Sequence, residues 1–345
     1  MTEETATEPA SILASRAKYL IATAARAPSV HNTQPWRFKV TESAIELYCD
    51  SRRQLLADRD GREMLISCGA ALYGLRLAVR SLGYLPVVDV LPRPGSPRLL
   101  AQVTLGAAAP VTAAEREMLK ALPHRHTHRA AFAPDALPTG LLAELQHDAM
   151  VERATLDIVG EGLAFQRLAD IVSAAAHRLD LDPWAQAEMR SWSGGITGPA
   201  RDGVPAHAFP PTATGQSGRR SGRLRQRDFD LGRGLGLLTV DGPGPTVTAV
   251  LLTTGDGPRE WLCAGQALHR LLLHAATKWV FASLYTQPLE HELIRALIQD
   301  RLGLPGAPQI LLQLGVAHTT RATARRPPED LIDKPASSPG LPVGR

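Results

Sequence analysis

Three stretches of the chain concentrate side chains able to do chemistry. "RAPSVHNTQPWRF", Arg26 to Phe38, sets Ser29, His31, Asn32, Thr33 and Gln34 between Pro28 and Trp36 with almost no apolar run. Nothing so polar can be the middle of a helix or of a buried strand, so it reads as a turn that presents hydrogen-bonding groups. "HRHTHR" alternates His124, His126 and His128 with Arg125, Thr127 and Arg129. On an extended segment the three histidines share one face. Zinc is the tempting ligand, but two arginines would flank the cation and no acidic or Cys ligand lies near. A solvated basic loop is a second reading. A third is an anion site, because guanidinium forks and a Thr hydroxyl suit phosphate oxygens. "ARRPPED" repeats the theme with Arg325 and Arg326, although an Arg pair before prolines also fits a solvated tail.

Other candidates carry less. "GRRSGRLRQR", residues 218–227, is the densest basic run, but it lacks the aromatic neighbours of a single-strand nucleic-acid platform. We therefore expect a mobile basic loop and no nucleic-acid partner. The glycines of "GRGLGLL" precede a strand instead of following one and opening a helix, so they make no dinucleotide fingerprint. No Ser-His-Asp or Cys-His arrangement stands out, and the 11 histidines are too scattered to place a catalytic base. A polar turn and an arginine cluster without a nucleophile or metal cage suit a protein that holds a phosphate-bearing organic cofactor, which then supplies the chemistry. No metal is expected.

The elements that must position these residues follow from periodicity. Residues 10–27 predict a helix ended by Pro28, and "RFKVTESAIELYCD" a strand hairpin. "GREMLISCGAALYGLRLAVRSLGY" predicts a long helix, apolar over much of its surface and so central. "LPVVDVLPR" and "LLAQVTLG" predict strands. A second round brings helices at 112–122, 138–149 and 162–192, a strand at 154–160, and strands "LGLLTV" and "TVTAVLLTT". A second long helix follows, "PREWLCAGQALHRLLLHAATKWVFASLY", and then a last strand, "PQILLQLGV". Residues 193–236, rich in Gly, Pro and Arg, are too long for a plain connection and predict a lid or mobile linker. The two long helices align, with Gly61, Gly69, Ala71, Leu72, Leu75 and Leu77 falling on Gly257, Gly265, Ala267, Leu268, Leu271 and Leu273. Each is later followed by a strand ending in Leu-Gly. Helical periodicity would match the leucines but not the glycines or the order of elements, so an internal duplication is expected.

Composition sets the bounds. The chain has 345 residues, 44% of them apolar, with 29 Gly and 27 Pro, which suits a globular protein with long irregular connections. Cys49, Cys68 and Cys263 are far apart and lack metal-ligand spacing, so buried free thiols in the cytoplasm are expected. No signal peptide is apparent in "MTEETATEPA", and no stretch reaches the roughly 18 apolar residues of a membrane span. A net charge of +4 favours an anionic ligand without implying nucleic acid.

The turn resembles the nitroreductase family of FMN flavoproteins, whose pattern is a helix, then Pro-Ser, Asn, Gln-Pro-Trp and a strand, as in Pro28-Ser29-Val30-His31-Asn32-Thr33-Gln34-Pro35-Trp36. The family's second signature, a basic pair, Ser or Thr, another basic residue and Phe, is similar to Arg125, His126, Thr127, Arg129 and Phe132. The pair Arg325 and Arg326 sits where the family's C-terminal cationic FMN contact lies. The resemblance spans residues 10–333. In ordinary members the Arg-Ser motif precedes the Pro-Ser motif in a half-length chain, and two chains share each flavin. Here the order is reversed along a double-length chain, and the second half has "HDAMVERATLDIV" where another Pro-Ser turn would stand. That is similar to the Acg-like branch of single-chain nitroreductase-like proteins of actinobacteria, a fused dimer that kept one flavin site.

This resemblance implies an α+β, nitroreductase-like fold: two pseudo-repeats forming a mixed sheet flanked by helices. The expected division is a first half at 1–110, a second at 111–333 and a tail at 334–345. It implies FMN held by Pro28, Ser29, Asn32, Arg125, His126, Thr127, Arg129, Arg325 and Arg326, with Gln34 and Trp36 packing and capping. Flavin N5 would carry the chemistry, with no catalytic side chain. NADH or NADPH would give two electrons to a nitroaromatic or quinone-like small-molecule acceptor. A monomer with one FMN is expected. The alternative is an FMN storage protein in which residues 193–236 cover the flavin and turnover is slight.

Overall fold

The computed structural model describes residues 9–194, 201–209, 224–234, 244–319 and 321–333. Helix α1 (Pro9–Ala24) leads through the polar turn into strands β1 (Trp36–Val40) and β2 (Ile45–Cys49), then helix α2 (Arg62–Ser81) and strands β3 (Tyr84–Val90) and β4 (Leu99–Ala108). The second round adds α3 (Ala113–Ala121), α4 (Leu141–Val151), β5 (Thr155–Ile158), α5 (Leu163–Asp180) and α6 (Pro183–Ser191). It continues with β6 (Val247–Thr253), α7 (Pro258–Thr277), β7 (Val280–Leu284), α8 (Glu292–Leu302), β8 (Ala307–Val316) and the short α9 (Pro328–Leu331).

The α+β class with two repeats is what the structure shows. In place of one mixed sheet there are two four-stranded sheets, ordered β1-β2-β4-β3 and β5-β6-β8-β7, with antiparallel neighbours throughout. The two orders are the same topology. Among the described residues, parallel pairing occurs only as isolated bridges: Phe38 with Ile332 beside β1, Thr127 with Ala282 beside β7, and Ser193 with Val204 away from both sheets. The sheets stay separate because α2 and α7, the aligned helices, cross between them. A Cβ on Gly69 would lie 2.3 Å from the Leu262 carbonyl oxygen, and one on Gly265 would lie 1.9 Å from that of Ile66. Only glycine allows backbones this close. The leucines and alanines around the crossing, among them Leu72, Leu75, Leu268 and Leu271, are fully or almost fully buried.

Two sequence expectations need correction. The second long helix ends at Thr277, and Val280–Leu284 is a strand. Trp279 takes a left-handed φ of +57°, which turns the chain, and Val280 and Phe281 then follow strand preference. The helix at 162–192 is two helices, because Pro183 cannot continue α5. Asp182 caps α6 instead, its carboxylate accepting from Trp184 N at 2.9 Å and Ala185 N at 3.3 Å. Helix α8 had not been foreseen. The strand expected at "LGLLTV" and much of segment 193–236 lie outside the described residues.

The bridges decide where the arginine-bearing segments go. Beside β7, His128 N donates to Ala282 O at 2.8 Å and Ser283 Oγ donates to His128 O at 2.8 Å. Beside β1, Asp333 N donates to Phe38 O at 2.8 Å and Arg37 pairs with the Asp333 carboxylate. Each segment is thus added to a sheet edge as an extra short strand, which fixes its register.

Candidate functional site

The polar turn is strained. His31, Asn32 and Gln34 have φ of +46°, +56° and +50°, a conformation that costs of order 1–3 kcal/mol per residue unless the surroundings enforce it. They do. Ser29 Oγ accepts from Gln34 N at 3.0 Å, and Ser67 Oγ accepts from Val30 N at 3.3 Å. The Asn32 amide donates to Gly203 O at 3.0 Å and Ala324 O at 3.1 Å. The Gln34 amide donates to Arg201 O, and its oxygen accepts from Arg326 N, both at 2.8 Å. The two amides therefore staple segments 201–203 and 324–326 to the end of α1.

That end carries the arginines. Arg125, 5% exposed, donates from Nη2 to Arg26 O at 3.2 Å. Arg325 donates from Nε to Ala25 O and from Nη2 to Ala27 O, both at 3.1 Å. Free carbonyls and the negative dipole end of a helix favour cations there. The compensation is incomplete, since Arg125 Nε and Nη1 are buried with no partner. Among the described residues no carboxylate forms an ion pair with Arg26, Arg125, Arg129 or Arg325. Burial, together with the charges of Arg26 and Arg129, pushes Arg125 down to about 10. Burial and the charges of Arg125, Arg26 and Arg129 push Arg325 well down, and burial alone takes Arg129 to about 10. His269, fully buried on α7, falls to about 3 through burial and the fields of Arg125 and Arg325, so it stays neutral.

A cleft of about 820 Å³, counting its open mouth, lies between the two halves. That is a size suited to a cofactor or small molecule. Pro28, Ser29, Thr127 and Arg129 line it; Asn32, Arg125, His126, Arg325 and Arg326 stand outside its lining. His126 packs on Phe281 with ring centroids 4.5 Å apart, and burial pushes it down to about 4. Arg326 lends its backbone N–H to Gln34 and its Nη2 to Asp330 O. The cleft's apolar walls include Ile66, Leu268, Ile310 and Phe229.

Sequence reasoning missed several lining groups. His31 is buried with both ring nitrogens unpartnered, its ring edge-on to Phe229 at 5.6 Å; burial, Arg227 and Arg129 hold it well below the usual imidazole range. Arg129 lies over the same Phe229 ring, 5.2 Å from its centroid. Arg227, from the basic run, is paired with Glu290 and faces the cleft. Glu63, in the first turn of α2, lines it too, and burial with the neighbouring Glu290 and Asp58 pushes its carboxyl up to about 8. A carboxylate inside a helix expected to be buried on most sides was the available signal for Glu63. Among the described residues no group of His, Cys, Asp and Glu could hold a metal ion, and no helix is long and apolar enough to cross a membrane.

The arrangement fits a phosphate-bearing ring cofactor: an apolar slot lined by Ser29, Thr127 and Arg129, with the orphaned N–H groups of Arg125 set back from that lining.

No protein-family model matches the chain. Against curated proteins, it is 33% identical over 298 residues to "Putative NAD(P)H nitroreductase Rv3131" of Mycobacterium tuberculosis, covering 85% of this chain and 83% of that one. It is 28% identical over 321 residues to "Putative NAD(P)H nitroreductase acg" of the same species, covering 91% and 94%. Among solved structures, it is similar to a nitroreductase with bound FMN from Desulfitobacterium hafniense, at a TM-score of 0.38 and 16% identity over 63% of this chain and 97% of that one. That likeness is too distant to carry residue roles across. The identity to Rv3131 along most of both chains is enough by itself: the chain belongs to the nitroreductase family.

Proposed function

We propose that the protein is an FMN-binding oxidoreductase that passes two electrons from NADH or NADPH to a nitroaromatic or quinone-like acceptor. The observation that carries this reading is the arginine cluster without a carboxylate. A buried guanidinium with unpartnered N–H groups is expensive unless an anion completes it, and the phosphate of FMN has the matching charge and oxygens. Arg125 and Arg325 hold the phosphate, with Arg26 adding charge. Ser29 and Thr127 border the cofactor along the cleft, and Arg129 sits nearer its ring. When bound, the flavin supplies the redox chemistry; the chain positions it, keeps a cation beside it and shields it from water. The relatives named above support NAD(P)H as donor. The first half of the proposed division, 1–110, contributes the turn, and the second, 111–333, contributes Arg125–Arg129 and Arg325. We place the protein in the cytoplasm as a monomer, with small molecules as its partners.

A second reading is favoured by one observation. Gln226, Arg227 and Phe229, from the segment expected to be a lid, line the cleft. Phe229 is held against His31 and under Arg129. A cofactor covered there would be stored rather than turned over. Anaerobic stopped-flow mixing of the flavin-loaded protein with NADH and with NADPH separates the two. Rapid loss of the flavin absorbance supports the oxidoreductase; bleaching by dithionite alone supports storage. A purified chain that neither carries nor takes up FMN overturns both.

A further inference from the structure

Glu63 is the unexplained group of the cleft. It is 4% exposed, and both carboxyl oxygens are buried with no hydrogen-bond partner. The nearest cation, Arg62 Nη1, is 3.9 Å away, and the Arg62 guanidinium is committed to the side chain and backbone oxygens of Gln309. None of the other charged groups near Glu63 hydrogen-bonds its carboxyl oxygens. Asp58, below it, accepts from Glu63 N at 3.0 Å and Met64 N at 2.8 Å, capping α2. Glu290, beyond α7, is paired with Arg227 from segment 224–234. His31 and Arg129 face the same cleft from the turn and from the segment beside β7. An ionised carboxylate here would have burial, Asp58 and Glu290 against it and only Arg62 and Arg227 for it. A neutral acid has one O–H to donate, and no acceptor among the described residues receives it. Glu63 lines the cleft among its apolar walls, whereas Arg125 and Arg325 stand outside that lining.

We propose that Glu63 is the specificity-determining donor of this cleft: as a neutral carboxylic acid it hydrogen-bonds the carbonyl oxygen of a conjugated, uncharged ring bound there. This rests on the flavin reading above, because the same chemistry has two sources, the pyrimidine carbonyls of the cofactor and the carbonyl of a quinone-type acceptor. Anionic ligands are disfavoured at this end by Glu290 and Asp58. A cationic ligand would need Glu63 ionised and would reverse the pH dependence.

Binding measured without turnover tests this. Duroquinone, an uncharged ring carbonyl, is titrated into the oxidised FMN-loaded protein with no reductant present, and FMN is titrated into the flavin-free protein. Both arms are run from pH 6 to 9 on the wild type, Glu63→Gln and Glu63→Leu. In the arm that uses Glu63, the wild-type Kd rises toward tenfold per pH unit once the acid titrates. Glu63→Gln, which keeps an N–H donor in the same shape, keeps wild-type affinity and is flat with pH. Glu63→Leu is flat and roughly three- to tenfold weaker, the loss of one neutral hydrogen bond. A response to FMN assigns the cofactor carbonyl, and a response to duroquinone assigns the acceptor. The same pH profile in wild type and Glu63→Gln in both arms overturns the proposal. So does binding that tightens with pH and is lost in Glu63→Gln. If the wild type takes up no FMN, the flavin reading fails, and duroquinone titrated into the flavin-free chain decides Glu63 on its own.

Discussion

Arg125 keeps its charge inside the protein. Its pKa falls only to about 10, so at neutral pH it remains a cation with two buried N–H-bearing nitrogens unpartnered. Replacing it should therefore discriminate between ligands that differ only in phosphate. Arg125→Ala is expected to weaken FMN by about ten- to a hundredfold, the worth of a charge-assisted hydrogen bond of roughly 1.5–3 kcal/mol, while riboflavin affinity stays near wild type. Equal losses would place Arg125 away from the phosphate. Glu63 has a thermodynamic signature of the opposite kind. Its folded pKa, about 8, lies above its ordinary value of 4.5. The unfolded chain releases this proton first as pH rises, so stability is fully present below about 4.5 and is lost progressively up to the folded pKa. Glu63→Gln should match the wild type in denaturant unfolding at pH 5 and be more stable at pH 8, by a few kcal/mol at most. Parallel curves at the two pH values would show that Glu63 ionises freely in the fold. At this scale the sequence was legible where charge clustered without a partner, as at Arg125. It was not legible where elements distant in sequence bury a polar side chain without giving it a partner, as at His31 and Glu63.

Among the elements, α2 and α7 form the joint of the molecule. The match of Gly69 to Gly265 was readable as a repeat, and the structure gives its cause: each glycine is the other helix's point of closest approach. A methyl group on Gly265 would meet Ile66 O at 1.9 Å and Ala70 N at 2.7 Å, so Gly265→Ala must separate the helices. Overpacking costs typically about 1–3 kcal/mol, and both sheets pack on this pair, so a loss at the upper end is expected in chemical denaturation. Gly160→Ala, where nothing lies within 4 Å of the added carbon, should stay within about 0.5 kcal/mol. Strand β7 was hidden for a local reason. The apolar pattern of α7 runs on into Val280–Leu284 with no Gly or Pro between, and the left-handed Trp279 that separates them leaves no mark in composition. The hairpin β1-β2 and strand β8 were legible because alternation or a long apolar run is bounded by turn residues.

At the scale of the whole molecule, the two halves share a topology but not their edges. Strand β7 is buried because the segment around Thr127 pairs with it. Its counterpart β3 leaves Leu85 and Val87 45% and 55% exposed, and no arginine-bearing segment pairs beside it among the described residues. With no counterpart of the Arg125–Arg129 segment beside β3 among the described residues, the flavin reading predicts one FMN per chain. Flavin released by denaturation and quantified against protein should give one per chain, and light scattering should give the mass of a single chain. Two flavins per chain would mean that a second cradle forms elsewhere. The reversed order of motifs in the sequence had suggested this asymmetry; the exposed face of β3 supplies a physical reason for it.

The arginine cluster draws on residues 26, 125 and 325 at one helix end, and that has a consequence for biosynthesis. A growing polypeptide leaving the ribosome has α1 and both of its first sheet's hairpins long before Arg325 exists. Until then Arg125 would enter the interior with fewer neighbours of its own sign and no completed cradle. On the flavin reading proposed above, cofactor capture should therefore come late, after Arg325 has been made. A product stopped after Val316 retains every strand of both sheets but should emerge colourless, and its visible spectrum compared with the full-length product would serve as a quality-control assay for finished molecules.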